Sequence, residues 1–311
     1  MPAYQETGND PKPRLWSAGP LEELVSSGQI NHLILIYGFL EWSLLGVHQD
    51  SNAVNLCLQG CFPDYWSQRS LHERFKWLSH SISGCVPGLL SIESGAFVEP
   101  SIVIIASEAC CTIPLSVCRD QLPHESLNLL FGVSEQSSEP KLYHIPETEV
   151  VVATRYNGAL SGAIGILFQS HRLISIEAAI LSRFLNWPTG NSPMPSVQPV
   201  LLIARFDHRI LVAQKRNNTL LGCNTFDAAS PEEVLYYALL FDQGLSKAVY
   251  LVGFDPTEGD LLQAKMAESF GDCFNSAWIH DELSTDASAS WRHLPNPWMP
   301  SLANFINRNP I

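Results

Sequence analysis

The chain has 311 residues, 46% of them hydrophobic and 16% charged, a balance that supports a sizeable buried core and excludes a wholly disordered or fibrous chain. Its 18 basic and 31 acidic side chains leave a formal charge of −13, which repels a phosphate backbone or an anionic lipid surface, so no nucleic acid and no membrane are expected as partners. Eight cysteines, at 57, 61, 85, 110, 111, 118, 223 and 273, show neither a CxxC pair nor a framework spacing, so buried thiols in a reducing cytoplasm are expected rather than disulfides or a structural metal.

Residues 1–20 hold Pro2, Pro11, Pro13 and Pro20 among polar residues and read as a loose arm, with Trp16 tacked to the body. They lack the basic-then-apolar build of a signal peptide, and no uncharged apolar stretch reaches the ~18 residues of a membrane span, so the expected location is cytoplasmic. From His32, HLILIYGFLEWSLLGV and then AVNLCLQG read as three successive strands with turns at Phe39-Leu40-Glu41 and at 49–52. Trp66, Phe75, Trp77, Leu78 and Ile82 place a helix next, ending before Gly84 and Pro87. SIVIIAS, from Ser101 to Ser107, suits a strand buried on both faces, and CCTIP reads as a connection closed by Pro114.

A helix at Glu125–Phe131 and strands at Lys141–Ile145 and Glu149–Thr154 lead to NGALSGAIGILFQSH, where Asn157 caps a helix. Its Gly158, Gly162 and Gly165 make a small-residue face, read as close packing on a sheet. Ile176–Phe184 is a further helix that completes a first half-domain over 21–186, and the four prolines of WPTGNSPMPSVQP mark 187–199 as a linker. The second half-domain, 200–311, opens with QPVLLIARFDHRILVAQKRNNTLLGCNTF, three antiparallel strands turning at Asp207-His208-Arg209 and at Asn217-Asn218. Ser230-Pro231-Glu232-Glu233 then starts a helix, AVYLVG is a buried strand, and Leu261–Phe270 a second helix. Trp291, Trp298, Leu302 and Phe305 are expected to anchor the Ser-, Pro- and Asn-rich tail.

Each half therefore reads as three antiparallel strands, a helix and a buried strand. This duplicated order resembles the actin-like ATPase architecture, two ribonuclease-H-like half-domains of mixed sheet with flanking helices. The phrases IVIIASEACCTIPLSVC, LLIARFDHRILVAQ and NTFDAASPEEVLYYALLF followed by AVYLVG resemble a bacterial family of unknown function with that fold, over residues 32–306. The resemblance implies ATP and Mg²⁺ held between the halves by a glycine-bearing, acidic hairpin turn in each, with a Gly-Gly pair on the adenosine. In the second half the turn keeps Asp207 but has His208 and Arg209 where glycine would leave room. In the first, Gly38 and Glu41 are separated by Phe39 and Leu40, and only Gly253 of the Gly-Gly pair is present, followed by Phe254 and Asp255.

Asp207, Gly253 and Glu41 are thus the cofactor-site candidates if a nucleotide binds, and no catalytic or metal-binding residue is nominated. No Walker loop, GxGxxG or GxSxG occurs, and His72-Glu73 begins an HExxH whose second histidine is Lys76. Two functions compete. One is a non-catalytic actin-like binding or assembly scaffold, with no cofactor and a protein partner or self-association. The other is a divergent ATP-binding phosphotransferase or ATPase of the actin-like and sugar-kinase type, in which Asp207, Glu41 and Gly253 converge in one cleft.

Overall fold

A computed structural model describes residues 13–17, 24, 30, 32–38, 41–47, 54–62, 69–86, 100–119, 122–133, 139–168, 171–186, 198–246, 248–275, 298–308 and 311. In the first half, β1 (Arg14–Ser17), β2 (His32–Tyr37), β3 (Glu41–Val47), β4 (Val54–Cys61), β5 (Pro100–Ile105) and β9 (Arg172–Ser175) form one sheet, ordered β1-β4-β3-β2-β5-β9. The strands of the first hairpins pair antiparallel, whereas β2, β5 and β9 run parallel. In the second half, β10 (Val200–Phe206), β11 (Arg209–Arg216), β12 (Thr219–Asp227), β13 (Ala248–Val252) and β14 (Asp272–Asn275) repeat the plan in the order β12-β11-β10-β13-β14. Leaving out β1, both sheets place the first strand centrally, two antiparallel strands on one side of it and two parallel ones on the other.

The parity of each strand in the second sheet decides which core it serves, because successive side chains point to opposite faces. Leu202, Ala204, Phe206, Leu211, Ala213, Tyr250 and Val252 join the core shared with the first half. Their neighbours Leu201, Ile203, Ile210, Val212, Val249 and Leu251 pack instead under two helices of their own half. Those helices are α5 (Pro231–Asp242) and α6 (Pro256–Phe270), which bury Val234, Ala238, Leu262 and Met266. Ser230 and Glu233 form a capping box with Pro231 in the first turn, and Asp255 caps α6 by accepting from the amides of Thr257 and Glu258.

In the first half α1 (Leu71–Cys85) starts from a capping box of Ser70 and Glu73. The sequence places this helix earlier and ends it before Gly84; the cap at Ser70 moves its start, and it runs through Gly84 to Cys85. Residues 14–17, read as part of a loose arm, form β1 against β4, with Trp16 opposite Cys57. Pairing on an open sheet edge satisfies backbone groups that a polar sequence does not advertise. Residues 109–114, read as a connection, are also a strand, β6 (Ala109–Pro114).

β6 pairs with β8 (Val150–Arg155), which pairs with β7 (Lys141–His144), in a separate three-stranded sheet inserted between β5 and β9. The helix α2 (Leu122–Phe131) covers one face through Leu127, packed on Ala109, Cys111, Ile113 and Ala153. The other face turns Tyr143 and Val152 into the main core. Next come α3 (Gly158–Leu167), capped by Asn157, and α4 (Ile176–Leu185), all ten of whose residues are buried. The last helix, α7 (Trp298–Arg308), returns to the first half and packs on α4, β3 and β4, burying Trp298, Leu302 and Phe305. Most of the 187–199 linker, and Trp291, lie outside the described residues.

Candidate functional site

The β2–β3 and β10–β11 hairpins meet where the two halves face one another. Asp207, at the tip of the second hairpin, has φ +53°, a left-handed conformation that aspartate tolerates in tight turns. Its carboxylate lies against Gly38 so closely that a Cβ there would stand 2.7 Å and 2.8 Å from the two oxygens, and 2.9 Å from the Glu41 carbonyl. A side chain at Gly38 would meet the Glu41 carbonyl and push the Asp207 carboxylate aside, so the second hairpin's acid rests directly on the first hairpin's glycine. Beside it, burial pushes the Tyr37 hydroxyl up to about 12, with Arg74 opposing the shift and Asp207 adding to it. The Tyr37 ring stacks on Phe75, and the Arg74 guanidinium sits 4.5 Å from the Phe62 ring centroid.

Arg209 follows on the same hairpin and crosses to the first half. Its guanidinium donates to the Ser107 carbonyl at 2.7 Å, just beyond the end of β5, and lies 3.6 Å from the Glu177 carboxylate. Glu177 is fully buried in the first turn of α4, where it accepts the Ser107 amide at 3.2 Å on both oxygens and the Ser175 hydroxyl at 2.6 Å. Ser107 is thus held from both sides, donating to the carboxylate and accepting from the cation. A buried carboxylate persists only where such partners offset its lost hydration, so Arg209 and Glu177 form one charge-paired tie between the halves.

Other ties flank it. On the outer side, the Cys223 thiol on β12 lies 3.7 Å from the Thr112 hydroxyl on β6, and burial holds the Cys223 and Cys110 thiols above the usual range. Lys215, on β11, is buried and donates to the Phe184 carbonyl near the end of α4. Burial, followed by the neighbouring Arg183 charge, lowers its pKa to about 8. An unfolded lysine titrates near 10.4, so between about pH 8 and 10 the unfolded chain binds more protons, and this group's contribution to stability rises with pH. In Lys215→Met that rise should vanish. Urea unfolding at about pH 7.5 and about pH 9 should show the wild type gaining roughly 1 kcal/mol relative to the variant; parallel pH responses would remove Lys215 as a buried cation.

Gly253 follows β13 with φ +80°, and a Cβ there would fall 2.1 Å from the Arg205 carbonyl and 3.0 Å from the Trp298 indole nitrogen. The close pass of β13 along β10 and the Trp298 indole at the start of α7 leave no room for a side chain at this position. Phe254, the next residue, is buried with the Arg205 guanidinium 4.9 Å from its ring centroid, and Arg205 also makes a two-pronged contact to Glu258, at 2.6 Å and 2.5 Å. Glu41 opens β3 opposite Cys61, and its charge helps raise that thiol, behind the larger effect of burial. The hairpins therefore bring Asp207 to Gly38 and the backbone of Glu41, while Gly253 is engaged with Arg205 and Trp298.

Sequence reading did not single out Glu177 or Ser107. A lone acid in the apolar run IEAAIL was the available signal. Among the described residues, no group of three or more His, Cys, Asp and Glu side chains is placed to hold a metal ion, and no helix is long and apolar enough to cross a membrane.

No family model matches the chain, and no curated protein matches it. Solved structures do. A Bacteroides thetaiotaomicron protein with actin-like ATPase fold and unknown function is similar at TM-score 0.65 and 14% identity, over 81% of this chain and 93% of that one. The PilM–PilN type IV pilus biogenesis complex contains a chain similar at TM-score 0.55 and 12% identity, over 90% of this chain and 99% of that one. Together with the matching strand orders of its two sheets, these likenesses establish that the chain has the actin-like ATPase fold, built from two ribonuclease-H-like halves.

Proposed function

We propose that this protein is a non-catalytic actin-like scaffold that works by binding another protein. The observation that carries the reading is the Asp207 carboxylate packed on Gly38, with Arg209 bonded across to Ser107 beside it. In an actin-like ATPase the phosphates occupy the gap between these two turns, reached by backbone amides that only glycine leaves uncovered. Here Arg209 is committed to the Ser107 carbonyl and to Glu177, and the Asp207 carboxylate rests on Gly38, so an entering phosphate would have to displace the chain's own contacts. The similarity to a chain of the PilM–PilN complex supports a role in assembly, since there a protein of this fold works as one member of a complex.

Titration calorimetry with Mg-ATP and Mg-ADP, paired with thermal unfolding, tests this. A ligand present at a hundred times its dissociation constant stabilises the native state by about 2.7 kcal/mol, so millimolar nucleotide binding at about 10 μM would raise the melting temperature by several degrees. The scaffold reading expects no binding heat and no change in melting temperature. A saturable shift that Asp207→Ala abolishes would establish the divergent ATPase or phosphotransferase instead.

A further inference from the structure

Among the described residues, the outward side of the second half carries an exposed apolar ridge, whose Tyr236 ring meets only the edge of its neighbour Tyr237. On α5, Val234, Ala238 and Asp242 face inward, which turns Glu232, Tyr236, Leu239 and Leu240 outward at the spacing of one helical face. Tyr236, Leu239 and Leu240 are 60%, 43% and 55% exposed. Lys265 of α6 bonds Glu232, which sets the two helices side by side and brings the carboxylates of α6 next to this strip. Solvated helix faces are ordinarily polar, and neighbouring exposed aromatic and leucine side chains mark a contact surface.

The charges around the ridge select its occupant. Glu232, Glu233, Asp255, Asp260 and Glu268 are exposed on these two helices, against the single cation Lys265, which Glu232 already engages. A second copy of a chain with formal charge −13 would bring like charge to this face, and so would an anionic membrane. We infer that the α5 ridge, centred on Tyr236 and Leu240, is the docking surface for a lysine- or arginine-rich amphipathic helix of a protein partner. Apolar residues spaced i, i+3, i+4 and i+7 on that helix would lie along Tyr236, Leu239 and Leu240, with its flanking cations over Glu233 and the exposed carboxylates of α6. This inference rests on the scaffold reading and names the surface through which it acts.

The probe is an 18-residue helical peptide of leucine and lysine with its leucines on one face, titrated by fluorescence anisotropy. Three controls accompany it: the same composition scrambled, a leucine–glutamate version, and vesicles containing phosphatidylserine. The expected result is saturable one-to-one binding that weakens as salt is added, at least tenfold loss in Leu240→Glu and in Tyr236→Glu, and no loss in Leu129→Glu. Leu129 is 87% exposed on α2 of the inserted sheet, so it controls for an equally accessible leucine elsewhere. Circular dichroism would establish that each variant keeps the wild-type melting temperature. Equal binding of the scrambled peptide, insensitivity to both ridge variants, or binding to the vesicles would overturn the proposal. So would concentration-dependent dimers in sedimentation that Leu240→Glu abolishes, since the occupant would then be a second copy. None of these outcomes bears on nucleotide binding, so failure here and failure of the scaffold reading are told apart.

Discussion

Gly253→Ala should be among the most damaging single methyl additions in the protein. An L-residue held at φ +80° costs about 1–2 kcal/mol from its Cβ alone. Here the added carbon would also stand 2.1 Å from the Arg205 carbonyl, a backbone atom in the neighbouring parallel strand that cannot swing aside as a side chain can. Either β13 leaves its register with β10 or the peptide after Val252 turns over, and the Trp298 indole 3.0 Å away blocks the second route. The expected loss exceeds about 4 kcal/mol, in the range that marks strain or overpacking in a core. In urea unfolding followed by circular dichroism the variant should be largely unfolded or should lose most of its midpoint. Gly162→Ala, in the middle of α3 where the new Cβ meets nothing, should instead gain about 0.5–1 kcal/mol. A Gly253→Ala protein within about 1 kcal/mol of wild type would show that packing does not hold this glycine, and would return it to the ligand-site reading.

Arg209→Met should cost about 3–5 kcal/mol, far more than an exposed ion pair would. The arginine is largely covered and its partner Glu177 is fully buried, so removing the cation leaves the carboxylate, among the described residues, to the Ser107 amide and the Ser175 hydroxyl. The Ser107 carbonyl loses its donor in the same step. Adding Glu177→Gln to Arg209→Met removes the stranded charge, so the double variant should be more stable than Arg209→Met alone, a non-additivity read from a double-mutant cycle in urea. Hydrogen exchange should quicken at residues 106–108 and at the β10–β11 turn before it quickens elsewhere, because this tie joins the halves. Additive costs, or exchange that quickens evenly along the chain, would show that the pair is not what ties the halves together.

Much of the scaffold was legible in the sequence because it is local. Continuous apolar runs such as VLLIARF, broken by Asp207-His208, and SIVIIAS mark the strands, and Ser230-Pro231-Glu232-Glu233 marks the start of α5, since capping involves only neighbouring residues. β1, β6, β9 and β14 were not read as strands. They are short, and each owes its pairing to a partner distant in sequence, such as Trp16 to Cys57 or Cys110 to Thr154. The inserted three-stranded sheet is hidden for the same reason: β7 and β8 are legible singly, but nothing local says that residues 109–114 form a strand or that it pairs with β8.

By itself the sequence determined the repeated order of strands and helices, the turns at Gly38 and Asp207, and the substitution of Phe254 for the second glycine of a pair. Hydrophobic period, turn chemistry and capping act over a few residues, so they can be read in one dimension. Only the tertiary structure decided what those residues do. It sets the Asp207 carboxylate on Gly38, 169 positions away in the chain, carries Arg209 to Ser107 and Glu177, and returns α7 to the first half with Trp298 over Gly253. Whether a cleft stands open or is filled depends on how two halves approach one another, and that is fixed by contacts whose partners are far apart in sequence.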